Sequence, residues 1–164
     1  MSILLRFCQW LESTPGSAAL HRWVWTYPVV ETVHVLGLCM FLGMTVLIDL
    51  RLINIGLKRM AVSEVAQRLL PWTMAGFVVM VLSGATLFYS DPVHFYGNVF
   101  FRLKAVMLIL AGINVWVFHS GIWLTVKDWD LAPVTPVRAR AAAYASLILW
   151  VGIVFSGRMI AFLN

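Results

Sequence analysis

Four apolar stretches, separated by short linkers that gather most of the charges and prolines, order this chain. An α-helix rises about 1.5 Å per residue, so about 20 apolar residues cross the hydrocarbon core of a bilayer. The pattern predicts spans over about 29–53, 70–89, 99–126 and 140–163. Ahead of them, residues 2–12 are short and apolar, broken by Arg6 and Gln9, and lack a small-residue cleavage site. They read as a retained interfacial helix rather than a signal peptide. Ser13-Thr14-Pro15-Gly16 stops it, and Ser17 is placed to cap a second short helix through His21, Arg22, Trp23 and Trp25. Trp23, Trp25 and Tyr27 form half of an aromatic belt. The expected fold is all-α: an integral membrane four-helix bundle with a short N-terminal interfacial helix, one domain over residues 1–164.

Composition closes off the alternatives. The chain is 62% hydrophobic and 12% charged, with mean hydropathy +0.89, where a soluble domain carries roughly a quarter charged residues. The net charge of +5 sits mainly in loops beside apolar segments, which suits anionic lipid headgroups and gives no support to nucleic-acid binding. Arg51, Lys58, Arg59 and Arg68 follow the first span, and Lys127, Arg138 and Arg140 follow the third. Arg6 and Arg22 precede the first span, and Arg102 and Lys104 open the third. The positive-inside rule then predicts a multi-pass protein of the bacterial inner (cytoplasmic) membrane with both termini outside. Cys8 and Cys39 form no Cys-x-x-Cys and suit packing better than a disulfide or zinc site.

An ionisable side chain inside a span costs on the order of 3 kcal/mol or more and normally marks a site. At about 100° per residue, Glu31, His34, Leu38, Phe41, Thr45 and Asp49 share one side of the first span, which should face the bundle. Gly37 and Gly43 allow a partner helix or a flat ligand to come close. His34 is a candidate axial ligand to a haem, with Glu31 placed to orient its other nitrogen. The plainer alternative is a histidine hydrogen-bonded to a neighbouring helix.

His119 in the third span has a similar claim, as a second site or an interhelical strut. By the expected boundaries it lies roughly 20 Å in depth from His34, too far for both to grip one iron. His94 and His21, in loops at the His34 end, are the remaining partners for it. Arg158, Arg102 and Lys104 could bind haem propionates or a quinone headgroup, or snorkel to lipid phosphates. Asp49 and Arg51, at the end of the first span, are placed to reach the interface.

Asn114 suits an interhelical hydrogen bond, and Gly76, Ser83, Gly84, Gly152, Ser156 and Gly157 suit close packing. Cys39, Met40 and Met44 offer sulfur for copper, a weaker alternative because both methionines face away from the His34 stripe. No Gly-x-Ser-x-Gly, His-Glu-x-x-His, P-loop or Gly-x-Gly-x-x-Gly is present.

Tyr27-Pro28-x-x-Glu31-Thr32-x-His34-x-x-Gly37, followed by Asp49-Leu50-Arg51-Leu52, resembles a family of small bacterial four-helix membrane proteins of uncharacterised function. Lys104, Asn114, Phe118-His119 and the closing Gly157-Arg158-x-Ile160-Ala161 are similar to it too. More loosely, the layout resembles small b-type cytochromes and the membrane domain of copper-resistance D proteins. The first of these implies non-covalent haem b and electron exchange with a quinone or a partner protein. The chain departs from the di-haem cytochromes in having no histidine on spans two and four. The reading is a haem-b electron-transfer protein, with a haem-free subunit, ion or copper carrier, or assembly partner as the alternative. Expected partners are membrane lipid, a quinone, and a homodimer or larger membrane complex.

Overall fold

The structure, a computed structural model, describes residues 3–22 and 25–162, without the side chains of His21, Arg22 and Thr26. Trp23, expected in the aromatic belt, lies outside the described residues. Among the described residues four helices are long and apolar enough to cross a membrane: α3 (Thr26–Leu52), α4 (Val62–Ser90), α6 (Val99–Ser120) with its continuation to Trp129, and α8 (Val137–Ile160). Shorter helices are α1 (Ile3–Glu12), α2 (Pro15–Arg22), α5 (Pro92–Gly97) and α7 (Val126–Trp129). The protein is a helical membrane bundle. The four crossings alternate in direction, so one end gathers α1, α2, α5 and the last turn of α8 (the terminal end). The other gathers the α3–α4 linker and α7 (the loop end). Large apolar side chains such as Leu36, Leu82, Ile109, Trp116, Ile148 and Val151 point outward and exposed, as residues solvated by lipid tails do.

Local sequence explains the boundaries. α4 starts at Val62, eight residues ahead of the expected span, because the polar run before Pro71 is amphipathic rather than loop-like. Val62, Val65 and Ala66 are buried while Gln67 and Arg68 face out, and Arg68 pairs with Glu64 one turn back at 2.7 Å. Pro71 is accommodated inside the helix, forgoing one hydrogen bond to the Gln67 carbonyl. α6 ends at Ser120, where Gly121 breaks it into a 3₁₀ turn over Ile122–Thr125. Ser17 is not a cap: it sits inside α2, buried, with its hydroxyl directed to the Ser90 carbonyl at 3.4 Å. A side-chain cap does form at Asn98, whose Oδ1 accepts from the amides of Phe100 and Phe101 at the start of α6.

Two cores hold the bundle. In the middle, Phe41 meets Trp150 edge-on at 4.8 Å, with Met80, Ala111 and Ile153 around them. At the loop end, Leu52, Ile53, Val62, Phe118, Val126, Trp129, Ala139 and Ala143 pack together. Gly76 and Gly37 let α3 and α4 touch backbone to backbone, whereas Gly43 faces open space.

Candidate functional site

The polar stripe on α3 faces inward as its periodicity requires: Phe41 and Asp49 are buried, and His34, Leu38 and Thr45 are half-buried. Near the terminal end, His34 Nδ1 lies 3.0 Å from Ser83 Oγ on α4. That hydroxyl has one proton, and it is spent on its own helix, on the Val79 carbonyl at 2.6 Å with Met80 O at 3.2 Å. Ser83 therefore accepts from His34, and Nδ1 carries the ring proton. With the proton on Nδ1, Nε2 keeps its lone pair; among the described residues the ring's hydrogen-bonding neighbours are Ser83 and the Met80 backbone. The ring rests on α4 backbone, since a Cβ at Gly84 would lie 3.1 Å from Cε1.

Lys104 and Glu31 are the charged neighbours of His34. Lys104 runs from α6 toward Gly157 on α8, its Nζ 3.6 Å from where a Cβ there would sit. α3 and α4 thus meet at the imidazole, and α6 and α8 meet at a half-buried ammonium whose charge acts on it. Glu31 was expected to hold the second ring nitrogen; Ser83 does so instead.

The other candidates lie elsewhere. His119, exposed at the loop end of α6, directs Nδ1 to its own helix at Val115 O, 2.9 Å away, and stacks near Trp123. It makes no strut between helices, and its place near the far end of α6 keeps the expected depth offset from His34. His94 is exposed on α5, in edge contact with Phe95, while Asp91 caps its backbone amide. His21 lies in α2, but its side chain falls outside the described residues. Arg158 is exposed over the Phe162 ring, and Arg102 turns to the Tyr96 carbonyl and ring. Cys39 faces outward and Cys8 is buried, both as free thiols. Among the described residues no three His, Cys, Asp or Glu side chains gather to hold a metal ion.

The loop end holds a second polar assembly that sequence reading placed at the interface. Arg51 is 2% exposed and Asp49 6%. Arg51 donates to Met60 O at 2.8 Å, Asn54 Oδ1 at 3.3 Å and Asp130 O at 3.4 Å, tying α3 to both loops. Asn54 adopts a left-handed φ of 60°, and the amides of Asn54 and Ile55 return to Arg51 O and Leu50 O, which closes α3 in a Schellman turn. The Asp130 carboxylate accepts from the amide and hydroxyl of Ser63, capping α4 from a segment far away in sequence. Asn54 right after an apolar run was a readable stop signal; the partnership of Asp130 with Ser63 carried no local signal at all. On the outside of this end, a groove of about 650 Å³ opens among Asn114, Thr125, Trp129 and Arg138, with no histidine in its lining.

Residues 21–163 match the profile of a family of unknown function, DUF6644, and the chain belongs to that family. The match carries no link to b-type cytochromes or to copper-resistance D membrane domains. No curated protein and no solved structure matches the chain.

Proposed function

We propose that this multi-pass membrane protein is an electron-transfer protein that uses His34 as an axial ligand to one b-type haem and exchanges electrons with a quinone or a partner subunit. The observation that carries the reading is the state of the His34 ring. Ser83 holds Nδ1, which sets the tautomer and leaves Nε2 free within the membrane-spanning part of the bundle. An imidazole anchored through one nitrogen by a neighbouring group is how histidine is prepared to ligate a metal. Lys104, close to the same ring, is the cation suited to a haem propionate. When bound, the haem would supply a one-electron couple; the chain's own part is to orient the imidazole and balance the propionate charge.

The test is a reduced-minus-oxidised absorption spectrum in mild detergent, with pyridine-haemochrome quantitation. A b-type α-band at near-stoichiometric haem that disappears in His34→Ala supports the reading. A featureless spectrum from folded protein made in haem-replete cells refutes it. One observation favours a second reading, a haem-free subunit or carrier: the His119 imidazole turns back to its own helix at the Val115 carbonyl. In that case the same imidazole and ammonium serve a quinone-type headgroup or helix packing, and His34→Ala changes stability with no chromophore to lose.

A further inference from the structure

At the other end of the bundle, the Asp49 carboxyl group is 6% exposed and sits in the α3 face that packs on α4 and α8. Ser146 of α8 is its hydrogen-bonding neighbour. Its Oδ2 is buried with no hydrogen-bond partner. The charged groups around the loop end are engaged otherwise. Arg51, two residues on, is spent on carbonyls and Asn54, and the Asp130 carboxylate on Ser63. Arg140, in the first turn of α8, has its own Nε buried and unpartnered. Thr73 on α4 returns its hydroxyl to Leu69 O. A carboxylate taken from water with one hydroxyl as neighbour and no counter-ion is strongly disfavoured, and such a group takes up a proton or a cation instead. Asp49 and Ser146 present too few ligands for a metal cation: calcium takes six or more oxygens and zinc four ligands.

We propose that Asp49 is a proton-binding site: its carboxyl group holds an exchangeable proton at neutral pH, between α3 and α8 against Ser146. The site is independent of the haem reading, since His34 lies fifteen residues away on the same helix, about 22 Å along its axis. An ionisable residue facing the bundle interior is the usual form of a proton relay in membrane proteins.

Infrared difference spectra of detergent-solubilised wild type and Asp49→Asn at neutral pH test it. The expected result is a carboxylic-acid C=O band in the wild type that shifts on exchange into D2O and is lost in Asp49→Asn. Ser146→Ala keeps the band but moves it, because one hydrogen bond is removed. Carboxylate bands in its place, as when Asp49 is ionised against Arg140, overturn the proposal. Should Asp49→Asn fail to fold, wild-type protein labelled with ¹³C at the side-chain carboxyl of its four aspartates decides the matter. One protonated resonance in four at neutral pH supports the site, and four ionised resonances overturn it.

Discussion

Gly76→Ala should separate α3 from α4 and loosen the His34 site two turns away. A Cβ at position 76 would lie 2.7 Å from Phe41 N, 3.0 Å from Phe41 Cα and 3.1 Å from Gly37 O. All three are backbone atoms, so no side-chain rotation relieves the clash. Reaching an ordinary contact of 3.4 Å requires the helices to part locally by about 0.7 Å. A gap of that size forfeits about a quarter to a half of each dispersion contact along the seam, and overpacking of this kind costs about 1–3 kcal/mol. Against that, alanine is favoured over glycine in a helix by up to about 1 kcal/mol. Taking the full helix gain, the net expectation is destabilisation by about 0–2 kcal/mol against wild type, and by about 1–3 kcal/mol against a glycine-to-alanine change that meets no clash.

Gly43→Ala provides the control. It lies in α3, where nothing stands within 4 Å of the added methyl, so it keeps the helix gain without the clash. Thermal unfolding of both variants in one detergent, followed by circular dichroism, should rank Gly43→Ala at or above wild type and Gly76→Ala below it. Equal midpoints for the two variants would refute the backbone-contact argument.

Three further outcomes are expected. Ser83→Ala removes the acceptor for His34 Nδ1; loss of such a supporting group weakens metal ligation by about 10–100-fold, read as haem retained through purification. Asp130→Ala uncaps α4 by removing both bonds from Ser63, and should cost about 0.5–2 kcal/mol in the same unfolding assay. Asn114→Leu deletes the 3.0 Å bond from Nδ2 to Ala142 O between α6 and α8; bonds of this type in membranes average about 0.6 kcal/mol, so the midpoint should fall only slightly.

Much of the bundle is legible in the amino-acid sequence alone. Apolar length gave the four crossings and their order, and the 3.6-residue repeat gave the inward side of α3, from His34 through Phe41 to Asp49. Asn114 reached across to a neighbouring helix as its type and depth required. Each of these is a property of one segment, because length and periodicity are written locally.

What escaped was which residue of a second segment each of these side chains meets. Ser83 looked like one more small packing residue until α4 set it beside His34; Glu31, nearer in sequence, was the wrong partner. Arg51 and Asp49 looked interfacial because they stand near the end of a span, yet Met60, Asn54, Asp130 and Ser146 close over them. The sequence by itself determined that this chain crosses a membrane four times and which face of α3 turns inward. Only the tertiary structure decided which nitrogen of His34 is free, and that the charges at the loop end are buried. Hydrophobic periodicity records which way a side chain points, but the partner it meets and the depth at which it meets it depend on how separate helices align.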